Sequence, residues 1–300
     1  MVARKVVIGL LSDQQEFQLM QAADARAAAA RAGLEAEVLF ADNNAVLQIQ
    51  QLFRFVHAPE DQRPAAIVVE TVTGEGLERV ARNAVKAGIG WVLLNRGVGY
   101  LEELRRVAPT LALANVTVDN EEVGHIQGRQ LRALLPQGGA VLYLQGPADT
   151  SAASGRFQGV QEAIRGTGIE LRVLNGDWTE ESGEKAVATW LRLKTSEGFS
   201  PGVVCAQNDA MAVGARRAIL ALHREWSRVP FTGCDGLPEG GQKLVRTGEL
   251  TATILTPTSA GPAVALVARA LSGERLPLEL RLSPRSHPPE DELARRLGGR

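Results

Sequence analysis

The chain has 300 residues, a formal net charge of −1 and no run of five or more basic residues, so it lacks the electrostatic footprint of a nucleic-acid or anionic-membrane binder. Hydrophobic residues make up 45% and charged residues 22%, which excludes a largely disordered chain. The length exceeds what one hydrophobic core usually supports and therefore predicts two lobes.

The N-terminal apolar run is short. It spans 6–11 and ends at Ser12 and Asp13, so it is neither a signal-peptide core nor a membrane span. The two cysteines, Cys205 and Cys234, lie at predicted buried strand ends, where small inert core residues are expected. This cysteine usage fits a reducing compartment without requiring one.

Strands and helices alternate through the first part of the chain. Short apolar runs predict strands, and Ala-rich or periodic segments that end at glycine predict helices. The predicted elements are strand 6–11, helix 17–32, strand 35–40, helix 45–56, strand 65–69, helix 76–87, strand 90–94 and strand 112–118. Such alternation predicts right-handed βαβ units around a parallel sheet that is covered by helices on both faces.

The same pattern begins again in the second part of the chain. The predicted elements are helix 121–135, strand 140–144, helix 152–165, strand 169–174, helix 180–193, strand 203–206, helix 210–222, strand 231–234 and helix 240–246. A further strand over 251–255, a helix over 262–271 and an extended segment over 277–282 indicate that the chain returns to the first lobe through several crossovers, which allow hinge closure. We expect an N-terminal lobe of 1–116 plus 257–285, a C-terminal lobe of 117–256, and a tail of 286–300 that is a surface appendage or a short amphipathic helix.

The motifs of several enzyme classes are absent from the sequence. No Gly-x-Gly-x-x-Gly follows the first strand, and no phosphate-binding loop, zinc-protease motif or Gly-x-Ser-x-Gly occurs. The four histidines, 57, 125, 223 and 287, are too scattered for a metal site. We therefore expect no cofactor, no metal and no catalytic residue.

Polar and aromatic residues instead follow successive predicted strands. Parallel strands bring their carboxyl ends to one edge of a sheet, where open α/β folds hold small ligands. The candidate residues at these positions are Asp13, Gln15, Phe17, Asn95, Arg96, Arg156, Trp178, Asn208 and Asp235. We expect all of them to face one cleft.

Each candidate also has a purely structural interpretation. Asn95 and Asn208 are residue types that cap helices, and Asp235 precedes a glycine, as turn residues do. Phe17 and Trp178 are alternatively core residues. Arg96 and Arg156 are alternatively members of surface ion pairs, but their joint placement at strand ends favours a shared site.

Four ordered motifs carry a family resemblance. They are Asp119-Asn120 with Gly124, Gly155-Arg156-x-x-Gly159, the run 206–215 (Ala-Gln-Asn-Asp-x-Met-Ala-x-Gly-Ala), and Gly233-x-Asp235-Gly236-x-Pro238-x-Gly240. Over about 5–282 the chain resembles the type I periplasmic sugar-binding proteins, and among them the ribose-binding type. The fold of this family is shared with the effector domains of lactose-repressor-type regulators. The resemblance implies two Rossmann-like α/β lobes that are joined by three hinge crossovers and close on a monosaccharide.

The resemblance also implies roles for the candidate residues. Arg96 and Arg156 would donate forked hydrogen bonds to sugar hydroxyls, and Asn208, Asp235 and Gln15 would supply further polar contacts. Phe17 and Trp178 would stack on the apolar face of the sugar. A sugar has an apolar face and a polar rim, so flat rings and planar polar groups are its physical complement.

The sequence departs from the family pattern at three positions. Asn95 stands where many pentose binders carry aspartate, Gln18 replaces a second aromatic residue, and Thr256 occupies the last hinge position, where glutamine or asparagine is usual. A pentose-like ligand is expected, and another aldose, a larger sugar or another polyhydroxy solute is the alternative.

The resulting hypothesis is a non-enzymatic sugar receptor that serves an ABC-type importer and works by closure of a cleft between the lobes. The alternative is a sugar-sensing regulatory protein that lacks a DNA-binding module and signals to a sensor kinase or a regulator. A monomer without direct nucleic-acid binding or membrane insertion is expected. The resemblance implies a periplasmic location if an export signal was removed before Met1, and a cytoplasmic location is expected if Met1 is the natural start.

Overall fold

The computed structural model describes residues 4–73, 76–193, 198–222 and 224–298. The chain forms two compact units, of which the first combines Met1–Val118 with Thr258–Leu282 and the second combines Asp119–Pro257 with Ser283–Arg300. The chain therefore passes from one unit to the other three times, after Val118, Pro257 and Leu282.

The first unit is a six-stranded sheet with helices between the strands. Its elements are β1 (Lys5–Leu10), α1 (Glu16–Arg31), β2 (Glu35–Phe40), α2 (Ala45–Val56), β3 (Ala66–Val69), α3 (Glu78–Lys86), β4 (Gly90–Leu94), α4 (Leu101–Val107), β5 (Leu113–Val118), α10 (Ala260–Leu271) and β11 (Glu279–Leu282). The strand order is β11-β5-β4-β3-β1-β2 and every pairing is parallel.

The central strands of the first unit are buried on both faces, as the apolar run in β1 predicts. Because side chains alternate across a strand, Val6 and Ile8 pack with one core cluster, which includes residues of α1 and α10. Val7 packs on the other face with a cluster that includes residues of α2, α3 and α4. Both faces of the central strands are therefore covered.

The second unit repeats this plan around a main sheet of four strands and adds a separate pair of strands. Its elements are α5 (Asn120–Leu134), β6 (Gly139–Gln145), α6 (Ser151–Ile164), β7 (Ile169–Asn175), α7 (Glu180–Leu191), β8 (Val203–Ala206), α8 (Asp209–Leu222), β9 (Phe231–Thr232), α9 (Gly241–Thr247), β10 (Thr253–Leu255), β12 (Arg285–His287) and α11 (Glu290–Gly298). The main sheet is parallel in the order β7-β6-β8-β9, and β10 pairs with β12 in a separate antiparallel ribbon.

Glycines let neighbouring helices of the second unit approach closely. A Cβ atom at Gly159 of α6 would overlap the carbonyl oxygen of Glu121 in α5, and one at Gly214 of α8 would overlap that of Glu180 in α7. Several glycines of the sequence motifs thus serve helix packing.

Cys205 and Cys234 are fully buried free thiols in this unit, and burial raises the pKa of Cys205 to about 12.

The structure differs from the sequence prediction in some short elements and in the boundaries of the lobes. Residues 117 and 118 belong to the first unit and residue 257 to the second, the reverse of the prediction. Helix α4 was not predicted, because seven residues are too few to show a helical period. The segment 286–300, predicted as a separate tail, belongs to the second unit, as do residues 283–285, which were predicted to belong to the first lobe. Strand β12 pairs with β10, and Arg129 of α5 forms an ion pair with Glu290 at 3.0 Å.

Candidate functional site

In each unit the parallel strands place their carboxyl ends at one edge, and polar residues follow several of them. In the first unit Glu70 follows β3 and Asn95 follows β4, its neighbour in the sheet. In the second unit Gly146 follows β6 and Gln207 and Asn208 follow β8. Two groups of candidate residues, one in each unit, are described separately below.

Glu70 lies at the centre of the first group and is 6% exposed. Its Oε2 accepts a hydrogen bond from Nε2 of Gln18 at 2.9 Å, and the nearby amides of Asn95 and Gln21 favour its ionised form and so lower its pKa. Burial is the largest influence and raises the pKa of Glu70, while the amide donors and the charge of Arg96 oppose that rise. The sequence analysis did not identify Glu70 as a site residue.

Asn95 connects Glu70 to the segment that enters the first unit after Pro257. Its Oδ1 accepts a hydrogen bond from Oγ of Ser259 at 2.8 Å. Ser259 is fully buried and its Oγ accepts from Gln21 Nε2 at 3.0 Å. The φ angle of Asn95 is +57°, a left-handed conformation that asparagine adopts more readily than most residues. Asn95 caps no helix with its side chain; it belongs to a buried polar network.

Arg96 is half-buried and anchored to the loop after β3. Its Nη1 donates to the carbonyl oxygen of Val72 at 3.0 Å, and the same loop is held by Gln48, whose amide bonds to Glu70 O at 2.8 Å and to Val72 N at 3.0 Å. The guanidinium is close enough to Glu70 to act on its pKa. Asn95 and Arg96, which are adjacent in sequence and were both predicted as site residues, therefore both act on the carboxylate of Glu70.

The other three candidates of the first unit lie around the start of α1. Asp13 is exposed and its Oδ1 accepts from Gln14 Nε2 at 2.8 Å. Gln15 precedes the helix without capping it through its side chain, and it is half-buried. Phe17 is half-buried and belongs to neither core cluster of this unit, which argues against its interpretation as a core residue.

Arg156 is the central cation of the second group and is 8% exposed. Its Nε donates to Asn120 Oδ1 at 3.0 Å, and its Nη1 donates to the carbonyl oxygen of Gln207. The guanidinium carbon lies 5.4 Å from the centroid of the Trp178 ring. This is not a surface ion pair, because a half-buried amide, a carbonyl and an indole ring surround the charge.

Trp178 is held in place from two sides. Its carbonyl oxygen accepts from Nδ2 of Asn208 at 2.8 Å, and a Cβ atom at Gly146 would overlap its indole ring. Its φ of +61° is rare for a bulky residue. Asn208 Oδ1 also accepts from Met211 N at 2.9 Å, so Asn208 caps α8, as the structural alternative predicted, and positions Trp178 as well.

Asp235 follows β9 and lies beside a second, buried carboxylate. Asp235 has a φ of +111°, and its carbonyl oxygen accepts from the hydroxyl of Thr256 at 3.3 Å. Asp209 accepts from Gly236 N at 2.8 Å and from Thr253 Oγ1 at 2.7 Å. Burial and the charge of Asp235 both raise the pKa of Asp209 well above its usual range. The Thr256 hydroxyl thus bonds to the backbone of Asp235 rather than extending away from it.

A buried chain of side chains supports the second group. Gln207 Nε2 donates to the hydroxyl of Tyr143 at 2.9 Å, and that hydroxyl donates to Gln127 Oε1 at 2.9 Å. Gln207 Oε1 accepts from Gly146 N at 3.0 Å. Gln207 therefore supplies the carbonyl that accepts from Arg156 and also fixes Gly146, against which the Trp178 ring packs.

No group of three or more metal-binding side chains occurs among the described residues. His57, His125 and His287 lie apart on separate elements, and His223 falls outside the described residues. Within the described ranges, no helix combines the length and apolar character that a membrane span requires.

Comparison with known proteins decides the family. A family model described as "Periplasmic binding protein domain" matches residues 7–275. The chain belongs to this family of periplasmic binding proteins. The family resemblance and the two-lobed parallel α/β fold predicted from the sequence are thereby confirmed.

Curated relatives of this periplasmic binding protein are themselves binding proteins. The ribose import binding protein RbsB of Salmonella typhimurium is 33% identical over 178 residues, which are 57% of this chain and 57% of that protein. The alignment thus spans little more than half the length of that relative. A putative rhizopine-binding protein of Rhizobium meliloti is 26% identical over 226 residues, 74% of this chain and 69% of that protein.

Solved structures share the fold along almost the whole chain. The binding component of the arabinose ABC transporter of Shewanella sp. ANA-3 gives a TM-score of 0.81 at 21% identity, with 97% of this chain and 95% of that chain covered. The myo-inositol binding protein of Caulobacter gives a TM-score of 0.78 at 21% identity, with full coverage of both chains. At this identity the likeness establishes the fold of the periplasmic binding protein and not its ligand.

Two acids of this binding protein were not predicted as site residues. Glu70 stands directly after the buried run Ala66–Val69, in the same position relative to its strand as Asn95 to β4. Applying the strand-end rule to β3 would have found it. Asp209 lies in the motif 206–215 but was not included among the site residues, because its proximity to Asp235 depends on how β8 and β9 pair.

Proposed function

We propose that this protein binds a small uncharged carbohydrate or polyol at the carboxyl ends of its strands and catalyses no reaction. The observation that carries the proposal is the pairing of the Arg156 guanidinium with the Trp178 indole, whose ring centroid lies 5.4 Å from the guanidinium carbon. The residues that hold the pair, Gln207 and Asn208, directly follow β8. A planar donor fork beside a flat ring matches the polar rim and the apolar face of a sugar.

Backbone conformation supports the same residues. Asn95, Trp178 and Asp235 are three of the five non-glycine residues with positive φ among those described. Such conformations cost free energy and persist where the surroundings enforce them, often at ligand sites. All three were identified from the sequence as strand-end candidates, and each is fixed by hydrogen bonds to neighbouring segments.

The ligand class follows from the relatives and from the side chains together. Relatives are named for ribose, rhizopine and xylitol. Amides, guanidinium groups and aromatic rings predominate among the candidate residues here, which suits hydroxyl groups better than apolar solutes. We further propose that the ligand-bound protein serves an importer, and a sensor kinase is the alternative partner. Closure of a cleft between the lobes is a separate prediction from the sequence.

A thermal-shift screen tests the proposal. The purified chain is heated with pentoses, hexoses, polyols and nucleosides, and a true ligand at 100 times its dissociation constant adds about 2.7 kcal/mol to the unfolding free energy. Calorimetry then gives the stoichiometry, and NMR of the recovered solute checks that it is chemically unchanged. The absence of stabilisation by every sugar and polyol, or conversion of the solute, would overturn the proposal.

A further inference from the structure

Glu70 is a buried acid at a strand end that the proposed sugar contacts do not use. It is 6% exposed, and it lies between β4 on one side and β1 on the other in the strand order. A buried carboxylate carries a large desolvation cost unless donors or a cation compensate it. The groups around Glu70 supply both.

Amide side chains from three segments surround the acid. Gln18 Nε2 donates to Glu70 Oε2 at 2.9 Å, and the nearby amides of Gln21 and Asn95 favour the ionised carboxylate and so lower its pKa. Gln48 holds the backbone of Glu70 through its carbonyl oxygen at 2.8 Å. The carboxylate is therefore held at the end of β3, next to the strand that leads to Asn95.

Arg96 is the charged residue that acts on Glu70. Its guanidinium is tied to Val72 O at 3.0 Å, two residues beyond the acid, and its positive charge favours the ionised carboxylate. Helices α1 and α2 present Gln18, Gln21 and Gln48 to this region, and none of these side chains titrates. Among the residues that the structure describes, Arg96 is thus the charged side chain that balances Glu70.

We propose that Glu70 determines the charge specificity of the first unit. Its carboxylate balances the charge of Arg96, so that the first unit accepts an uncharged polyhydroxy ligand and disfavours the corresponding sugar acid. The inference rests on the proposed function, since it assigns the charge class of that same ligand. Glu70 acts through Arg96 and is a positioning residue.

The Glu70→Gln variant isolates the charge. Glutamine nearly preserves the shape of the side chain, but the guanidinium of Arg96 is no longer balanced. Two unit charges near a protein surface interact by several kcal/mol at contact distance, so affinity for an anionic ligand is expected to rise about tenfold relative to its neutral counterpart.

Matched pairs of probes measure this ratio. D-ribose with D-ribonate, D-xylose with D-xylonate, and D-galactose with D-galactonate are titrated by calorimetry into the wild type, Glu70→Gln and Glu102→Gln. Glu102 is an exposed acid on α4 and provides the same loss of charge away from the site. We expect the aldonate-to-sugar affinity ratio to increase in Glu70→Gln and to stay unchanged in Glu102→Gln.

A pH series on the wild type tests the same charge without a substitution. Burial raises the pKa of Glu70 above its ordinary value, so on acidification it takes up a proton before a solvated carboxylate such as that of an aldonate does. The wild-type ratio should then move towards that of Glu70→Gln, whose own ratio should not follow this titration. A purely structural role for Glu70 would leave the wild-type ratio constant.

The outcomes separate the two proposals. If no neutral sugar binds the wild type, the proposed function fails and this inference fails with it. If neutral sugars bind but the ratio is the same in the wild type and Glu70→Gln and does not change with pH, only the role of Glu70 is overturned. Equal changes in Glu70→Gln and Glu102→Gln would also overturn it, because a general charge effect would then explain them.

Discussion

The guanidinium carbon of Arg156 lies 5.4 Å from the ring centroid of Trp178, and both residues are fixed by groups at the end of β8. Gln207 O accepts from Arg156, and Asn208 Nδ2 donates to Trp178 O. Two consecutive residues therefore set the position of a cation and a ring that are far apart in sequence. The first two predictions follow from this arrangement.

Replacing Arg156 should affect both binding and stability. Arg156→Lys keeps the charge but loses the fork that reaches Asn120 and Gln207, so we expect sugar affinity to fall at least tenfold. Arg156→Ala should abolish ligand-dependent stabilisation and lower the unfolding free energy by about 2–4 kcal/mol, because charged hydrogen bonds are lost. Calorimetry and urea unfolding measure the two effects.

Arg172→Lys is the matched control for Arg156. Arg172 is exposed and its guanidinium lies 5.9 Å from the Phe199 ring, so it shares the arginine–aromatic geometry without the buried hydrogen bonds. Its replacement should leave sugar affinity unchanged. Equal losses of affinity in the two lysine variants would contradict the role of Arg156.

Gly146→Ala should displace the Trp178 ring. The added methyl group would overlap the indole, and an overpacked site of this kind loses about 1–3 kcal/mol as neighbours shift. We expect sugar affinity to fall about tenfold and tryptophan fluorescence to change in the ligand-free protein. Unchanged sugar affinity would show that the ring position is irrelevant to binding.

Asp209→Asn should flatten the dependence of stability on pH. The pKa of Asp209 in the folded protein is raised, first by burial and then by Asp235, so the folded state retains a proton that the unfolded chain releases near pH 4. The unfolding free energy of the wild type should therefore decrease as pH rises through the raised pKa, and that contribution should be absent in Asp209→Asn. Urea unfolding at a series of pH values measures it.

An exposed aspartate provides the control for Asp209. Asp61→Asn changes the same side chain type at an exposed position of the first unit. Its stability curve should parallel that of the wild type. If the stability curve of Asp209→Asn is also parallel to that of the wild type, the carboxylate of Asp209 does not titrate in the folded protein over the pH values measured.

Gly159→Ala should destabilise the second unit by forcing α5 and α6 apart. The methyl group would overlap the carbonyl oxygen of Glu121 and lie 3.0 Å from the Cα atom of Gly124, both backbone atoms that cannot rotate away. We expect a loss of about 2–4 kcal/mol, above the usual range of small overpacking effects. Ser154→Ala, at an exposed position of the same helix, should change stability by less than about 0.5 kcal/mol. Equal midpoints for both variants in thermal unfolding would rule out this packing constraint.

The sequence predicted most of the architecture because the information is local. Buried strands such as β1 are continuous apolar runs, and helices such as α1 end at a glycine, so type and order could be assigned from neighbouring residues. Helix α4 was missed because it has seven residues, and β12 was missed because Arg285–His287 has no strand pattern and pairs with a distant segment.

The sequence by itself also determined which residue types stand at or just beyond several strand ends, including Asn95, Trp178 and Asp235. Only the tertiary structure decided what those side chains do. It showed that Asn208 caps α8 and holds Trp178, that Thr256 bonds to Asp235, and that Glu70 is a buried acid that accepts from Gln18. The physical reason is that a strand end fixes where a residue lies, whereas its hydrogen-bond partners, burial and backbone conformation are set by segments distant in sequence that only folding brings together.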